Sequence, residues 1–162
     1  PGLAAGQGMA AAPSDGVLFA TDTDTDTLVN LDPLTGLATP IGPLGTPGIT
    51  GLTFDTTGNT LFAVSTITNE LVTIDPSNGA TTVVGVTLRN VTALAFDTVN
   101  DILYGTGSVP DNLIRIDTSD ASFVPVGSTG RQFIRGLAFA VPSPGWAVFA
   151  VVGVGLAARR RR

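Results

Sequence analysis

Three aspartates alternate with threonines near the start of the chain, and their spacing could bind a cation. Asp22, Asp24 and Asp26 would offer clustered carboxylate oxygens, the ligands that calcium prefers. The run lacks the glycine and the distant glutamate of an EF-hand loop. Asp22 also aligns with Ser65 in a later copy of the segment, and Asp26 aligns with Asn69; short polar residues of this kind form Asx-type turns. The pattern favours a solvated hairpin tip, with calcium as the weaker alternative and no other cofactor predicted.

A second set of aspartates recurs at one position of a repeat. Asp32 and Asp75 each precede a proline, and Asp117 precedes a threonine, a pattern typical of turns. A ring of such carboxylates could bind a metal at the mouth of a circular fold, but that site also needs Glu and Asn ligands that do not repeat. Glu70 is the only glutamate. We interpret these aspartates as structural.

The chain contains no histidine and no cysteine. Their absence excludes disulfides, thiolate zinc sites, cysteine nucleophiles and imidazole bases. Serine and threonine are plentiful but lack the usual activating base. We therefore predict that the protein is not an enzyme and that it has no catalytic or metal-binding residues.

The charge distribution argues against nucleic acid as a partner. Four of the eight arginines form the C-terminal cluster Arg159–Arg162, and the rest of the chain carries 13 acidic residues against four arginines. An acidic body repels phosphate backbones. Arg131 and Arg135 could still reach an acidic ligand, although arginines in such positions more often pair with surface aspartates.

The sequence repeats itself every 42 or 43 residues. Each unit contains four short runs of alternating or β-branched residues separated by Asp-, Gly- and Asn-containing turns, which predicts four strands. The copies are Leu18-Phe19-Ala20 with Leu61-Phe62-Ala63 and Leu103-Tyr104-Gly105, Leu28–Asp32 with Leu71–Asp75 and Leu113–Asp117, and Ile49–Phe54 with Val91–Phe96 and Ile134–Phe139.

Four strands in a unit of about 40 residues indicate an all-β fold built from β-propeller blades. The pattern Gly-Leu-x-Phe-Asp, Leu-Phe-Ala, Leu-x-x-Ile-Asp and Val-Gly resembles YVTN-type and NHL-type propeller repeats. We predict a weak or disordered start at 1–16, repeats at about 17–48, 49–90 and 91–133, and a lone closing strand at 134–140. Gly8–Ala12 is a poor candidate for an inner strand. We therefore expect 134–140 to pair with the first three strands and complete their blade.

This inventory gives about three blades, whereas closed propellers have about four to eight. Two explanations fit the sequence. Upstream blades and a signal peptide are missing from the chain, or, if Pro1 is the true start, a homodimer closes a six-bladed ring.

The last 22 residues, 141–162, differ from the repeats. An apolar run from Trp146 to Ala158, with Phe149 and Leu156 as bulky members, is followed by Arg159, Arg160, Arg161 and Arg162. As a helix, the run would span about 20 Å, less than the roughly 30 Å of bilayer hydrocarbon. It has no polar face, and arginines mark cytoplasmic ends of membrane segments. We predict a C-terminal hydrophobic helix that anchors the chain in a membrane.

This layout resembles the PEP-CTERM sorting signal of Gram-negative bacteria, in which a Pro-Glu-Pro motif, a hydrophobic helix and a basic end are recognised by the membrane protease exosortase. The motif residues here are Pro142, Ser143 and Pro144, with Ser143 in the place of the family's Glu. The resemblance implies export, a transient inner-membrane anchor, and then a cell-surface or extracellular location.

The function expected from these observations is that of an exported binding or structural module. Its ligand would be an exopolysaccharide or a surface protein, which the sorting resemblance implies. The alternative is a lactonase- or hydrolase-like propeller enzyme whose metal site lies partly in missing blades.

Overall fold

The computed structural model describes residues 5–13, 16–55, 60–87, 90–107, 111–131 and 134–139. Within these ranges it is all-β, as predicted, and contains three four-stranded antiparallel sheets. The strands are β1 (Gly6–Ala11), β2 (Leu18–Asp22), β3 (Thr27–Leu31), β4 (Ala38–Pro43), β5 (Ile49–Phe54), β6 (Leu61–Ser65), β7 (Glu70–Ile74), β8 (Thr81–Val86), β9 (Val91–Asp97), β10 (Ile102–Gly107), β11 (Asn112–Ile116) and β12 (Phe123–Ser128).

Each sheet is one blade whose strands follow one another in chain order. Blade 1 is β1 to β4, blade 2 is β5 to β8, and blade 3 is β9 to β12. Strand β5 lies against β1 on one side and β9 on the other, so the first strands of the blades are the inner strands. Strands β4, β8 and β12 are the outer ones.

Alternation along each strand buries both faces of the middle blade. In β6, Leu61 and Ala63 face blade 1, whereas Phe62 and Val64 face blade 3. Because both faces must be apolar, β6 reads as an uninterrupted buried run with no polar side.

The hydrophobic core consists of two clusters, one between each pair of adjacent blades. In the first, the rings of Phe19 and Phe54 meet edge to face with centroids 5.5 Å apart. In the second, the equivalent rings of Phe62 and Phe96 are stacked at 6.2 Å. Each pair joins the second strand of one blade to the inner strand of the next.

A buried threonine also ties the second strand of one blade to the inner strand of the next. Thr21 Oγ1 accepts a hydrogen bond from the backbone N of Gly8 (3.2 Å) and donates one to the carbonyl of Ile49 (3.2 Å). Thr106 Oγ1, at the equivalent position two blades later, donates to the carbonyl of Ile134 (3.4 Å).

The outer strands contact the turns of the following blade through glycines. A Cβ built on Gly42 would overlap the backbone carbonyl of Asn78, and one built on Gly85 would overlap that of Asp120. A Cβ on Gly127, the equivalent position in blade 3, would meet nothing within 4 Å. Glycine is therefore required where a following blade is present.

One expectation about the strands is wrong. Gly8–Ala12, predicted as a poor inner strand within a weak start at 1–16, largely coincides with β1 (Gly6–Ala11), which pairs with β2 through Met9↔Ala20, Ala10↔Phe19 and Ala11↔Leu18. Strand propensity is low for Gly and Ala. The backbone hydrogen bonds of a sheet need no particular side chain, however, and the open edge of β2 supplies the partner groups. The place that we assigned to 134–140 in blade 1 is thus already filled.

Residues 134–139, predicted as the closing strand, form no strand. Ile134 nevertheless lies beside the inner strand of blade 3, because its carbonyl accepts hydrogen bonds from Thr92 Oγ1 (2.8 Å) and Thr106 Oγ1. The segment lies beside β9 as β9 lies beside β5. Among the described residues, no strand after it is present to pair with it.

The predicted C-terminal helix and the rest of 141–162 lie outside the described residues. Among the residues that are described, no helix has the length and apolar character needed to cross a membrane.

Candidate functional site: the inner-strand cleft

A cleft of about 200 Å³ lies where the inner strands converge. The cleft is lined by two or three consecutive residues from each of β1, β5, β9 and the segment 134–139. These residues are Gln7, Gly8, Met9, Thr50, Gly51, Leu52, Ala93, Leu94, Arg135, Gly136 and Leu137. These are equivalent positions of the repeat, so the fold itself brings them together.

The polar groups of the cleft come from one repeat position, whose residue in β9, Thr92, is not part of the lining. Gln7, Thr50 and Arg135 occupy it in the lining. Gln7 and Arg135 are exposed, and Thr50 Oγ1 is buried without a hydrogen-bond partner among the described residues. An amide, a hydroxyl and a guanidinium together offer several donors and two acceptors to a ligand.

The other lining positions are apolar or small. Met9, Leu52, Leu94 and Leu137 repeat at one position, and Met9 is 59% exposed. Gly51 allows close approach of the next inner strand, because a Cβ there would lie 2.9 Å from Val64 Cγ2 and 3.2 Å from the backbone N of Leu94. The cleft therefore combines an apolar strip with a few polar groups, the usual composition of a ligand site.

Two of the three aspartates considered for calcium, Asp22 and Asp26, accept hydrogen bonds from backbone N–H groups. Asp22 is 8% exposed, and its Oδ1 accepts a hydrogen bond from the backbone N of Asp24 (3.0 Å). Asp26 Oδ1 accepts one from the backbone N of Gly48 (3.3 Å), and Asp26 itself has a positive φ of 46°. In the described part of the chain, no group of three or more His, Cys, Asp or Glu side chains could hold a metal ion. The geometry favours the hairpin interpretation.

The repeated aspartates form Asx turns between the third and fourth strands. Asp32, Asp75 and Asp117 each accept a hydrogen bond from a hydroxyl two or three residues further on, at 2.6, 2.7 and 2.6 Å. These hydroxyls, from Thr35, Ser77 and Ser119 respectively, hold the pKa of each carboxyl below its usual 3.8, and backbone N–H donors act in the same direction. Such carboxylates are ionised turn formers, and they lie outside the cleft.

Asp97 plays the same part at the β9–β10 turn. It is 2% exposed, and burial raises its pKa. Hydrogen bonds from the side chain of Asn100 (2.7 Å) and from the backbone N of Asn100 and of Val99 outweigh burial, so the pKa of this carboxyl is lowered. Its ionised form is satisfied within its own turn.

A larger depression, of about 320 Å³, lies on blade 3. Asp101, Arg115, Asp117 and Val124 are among its lining residues. It belongs to the end of the array, on the face of blade 3 where no further blade is described. Its Asp117 is engaged in the turn described above. We therefore regard it as part of an uncovered blade face and the inner-strand cleft as the better candidate.

Sequence reasoning singled out Arg135 but missed Gln7 and Thr50. Their signal lies in the repeat alignment, in which Gln7, Thr50 and Arg135 are the second residues of β1, β5 and the segment 134–139. The sorting residues Pro142, Ser143 and Pro144, the anchor residues and the terminal arginines fall outside the described residues.

No protein-family model matches the chain, and no curated protein sequence matches it. Solved structures do match it. A chain of the nidogen/laminin complex superposes with a TM-score of 0.69 at 17% identity, covering 83% of this chain and 52% of that one.

Two enzymes also match. A catalytically inactive His-to-Ala variant of virginiamycin B lyase from Staphylococcus aureus gives a TM-score of 0.56 at 20% identity, covering 72% of this chain and 39% of that one. A gluconolactonase from Xanthomonas campestris gives 0.58 at 10% identity, covering 78% and 48%. The chain thus spans between 39% and 52% of the length of these three structures, and the likeness concerns the fold alone. These superpositions and the three four-stranded sheets identify the chain as a set of β-propeller blades.

Proposed function

We propose that the chain is a non-enzymatic binding module that holds its ligand at the inner-strand cleft. The observation that supports this most directly is that one repeat position carries Gln7, Thr50, Thr92 and Arg135 along the four inner segments, and that three of these polar residues line the cleft. Repeated residues serve the fold. A position that is free to vary at the convergence of the inner strands is available for recognition.

The chemistry of the cleft suits a hydroxylated and acidic ligand. The exposed guanidinium of Arg135 can bind a carboxylate, and the exposed amide of Gln7 can exchange hydrogen bonds with sugar hydroxyls. Met9 and the half-buried Leu137 would contact the apolar face of a sugar ring. We therefore propose an acidic polysaccharide as the ligand class.

Two considerations support binding over catalysis. The lyase among the compared structures is inactive when one histidine is replaced by alanine, and this chain contains no histidine. In addition, the carboxylates with a lowered pKa form Asx turns outside the cleft, where they cannot act as bases on a ligand held there.

We further propose that the module is exported and sorted by its C-terminal segment. The support is the sequence alone: Pro142-Ser143-Pro144, the apolar run from Trp146 and the terminal arginines occur in the order of a PEP-CTERM signal. The proposal places the blades outside the inner membrane, tethered until an exosortase-type protease cuts near the motif.

Titration calorimetry tests the binding proposal with two probes, alginate as a polyuronate and dextran as a neutral glucan. We expect alginate to bind, and Arg135→Ala to weaken binding by about tenfold, the loss of one charge-assisted contact. Arg115→Ala, which removes the same charge outside the cleft, is the matched control and should bind as the parent does. Equal losses in both variants, or no alginate binding, would contradict the proposal.

Mass spectrometry of the mature C-terminus tests sorting in a host that contains an exosortase. We expect a product that ends near Pro144, and an uncut product when Pro142 and Pro144 are both replaced by alanine. An exported parent protein that still ends at Arg162 would refute the sorting proposal without affecting the binding proposal.

A further inference from the structure

The outer strands of the three blades have unpaired edges. Strands β4, β8 and β12 each end their sheet, and among the described residues no further strand pairs with them. Such an edge presents backbone N–H and C=O groups to solvent and can pair with an extended segment of another molecule. None of the three strands carries a charged residue; their sequences are ATPIGP, TTVVGV and FVPVGS.

A proline interrupts two of these edges and is absent from the third. Two residues before the glycine that the outer strands share stand Pro40 in β4, Val83 in β8 and Pro125 in β12. Proline has no backbone N–H, and its presence on an edge strand is one of the means by which proteins prevent edge-to-edge pairing. Val83 is 52% exposed, so solvent reaches the edge of blade 2 at the position that lacks this protection.

The backbone N–H of Val83 points away from its own sheet. The backbone N of Asp75 donates a hydrogen bond to the carbonyl of Ala80 (2.9 Å), so the backbone groups of Ala80 face β7. Successive residues of an antiparallel strand direct these groups to alternate sides, and the register is regular from Thr81 to Val83. The backbone groups of Thr82 therefore face β7, whereas those of Thr81 and Val83 face solvent.

The same alternation explains why the prolines are tolerated in the other two blades. The carbonyls of Leu37 and Ser122 accept the equivalent hydrogen bonds, at 2.9 and 2.8 Å, so Pro40 and Pro125 also lie on the solvent side of their strands. A proline there costs its own sheet no hydrogen bond. The position can thus hold proline or not without harm to the blade, and its residue decides whether the edge can donate outward.

Electrostatics favours a second copy of the chain as the partner of this edge. The chain has a formal net charge of −5, so two copies repel each other where their acidic residues meet. Strand β8 is free of charge, and the run Thr81–Val83 is β-branched and suited to pairing. An identical strand turned by a two-fold axis presents the same neutral edge with complementary backbone groups.

We propose that two copies of this chain pair through the outer strand of blade 2, β8 against β8, antiparallel about a two-fold axis at Thr82. Thr81 of each copy exchanges two backbone hydrogen bonds with Val83 of the other, about four bonds in all. Thr82 lies opposite its own counterpart, a favourable cross-strand pair. Because each copy offers one such edge and the two-fold axis uses both, the assembly ends at a dimer. The contact leaves the inner-strand cleft open.

A single introduced cysteine tests this pairing, because the chain has none of its own. At the two-fold axis the two Cα atoms of Thr82 would lie about 4.5 Å apart, within the range of a disulfide. We expect the full chain carrying Thr82→Cys, in detergent micelles, to oxidise to a linked dimer. Thr39→Cys is the matched control, since Thr39 is equally exposed at the equivalent position beside Pro40 and should stay monomeric. Equal dimer yields from the two variants would overturn the proposal.

Two substitutions at residue 83 separate strand pairing from chance collision. On the Thr82→Cys molecule, Val83→Pro removes the outward donor from both copies and should lower the dimer yield by at least about tenfold. The variant should fold, since proline occupies this position in the other two blades, and circular dichroism checks its sheet content. Val83→Thr keeps the N–H and the β-branched shape and should dimerise as the parent does. A folded Val83→Pro variant that dimerises fully would refute the pairing, whether or not the cleft binds polysaccharide.

Discussion

Gly85→Ala should separate blade 2 from blade 3, because the glycine lies on the outer strand against the turn of the next blade. A Cβ there would overlap the carbonyl oxygen of Asp120 and lie 2.9 Å from its carbonyl carbon and 3.1 Å from Ala121 Cβ. Two of these three atoms are backbone and cannot rotate away. The two blades must therefore move apart by several tenths of an ångström.

The expected cost is about 3 kcal/mol, the upper end for overpacking, since backbone must shift. For a chain of this size it corresponds to a fall in melting temperature of roughly 6–12 °C. Thermal unfolding followed by circular dichroism measures it, at a concentration where the chain is monomeric.

Gly127→Ala is the matched control, with the same residue, the same strand position and open space around the new methyl group. We expect its stability to stay within about 0.5 kcal/mol of the parent. If Gly85→Ala proved as stable as Gly127→Ala, the inference that these glycines are required by the following blade would be wrong.

Three further results are expected. Thr21→Val should cost about 1–3 kcal/mol in urea unfolding, because it leaves unpaired the two buried backbone groups that the hydroxyl bridges between blades 1 and 2; an isosteric substitution with no effect would show that the bridge is dispensable. Gly79→Ala should destabilise more than Gly36→Ala, since both glycines have a positive φ (81° and 71°) but only the first abuts another blade; equal losses would mean that the turn conformation alone matters. The turn aspartates have folded-state pKa values below the ordinary 3.8, so they stabilise the fold fully above that pH and lose this contribution as the pH falls below it. The free energy of unfolding should therefore fall from about pH 5 downward, and less steeply in Asp75→Asn. The same dependence of the urea midpoint on pH in the variant and the parent would contradict this expectation.

The repeat made the fold predictable from the sequence. Copies such as Leu61-Phe62-Ala63 mark the second strand of a blade, and the Asp-Pro turns mark the connection to the outer strand. Both appear where the alignment placed them. Self-comparison succeeds because each blade has the same neighbours, so the same physical demands recur.

The first strand was missed because it departs from that repeat. Gly6–Ala11 has neither the β-branched start nor the terminal Phe of an inner strand, and only the open edge of β2 makes it one. Tertiary pairing overrode local propensity there. Conversely, 134–139 has every feature of an inner strand but lacks a neighbour to pair with.

The cleft was only partly predictable. The alignment shows that Gln7, Thr50 and Arg135 are equivalent, but not that the inner strands converge closely enough for their side chains to line one space. That proximity depends on the small residues Gly8 and Gly51, whose effect becomes visible only in three dimensions.

The division of the core into two clusters has a consequence for how the chain unfolds. Each cluster joins one pair of neighbours, so the stability of the array is a sum of blade and interface terms, like a short one-dimensional chain of coupled units. Blade 2 shares in both interfaces, whereas blades 1 and 3 share in one each. Amide hydrogens in β6 and β7 should therefore exchange last, after the outer units have opened from either end.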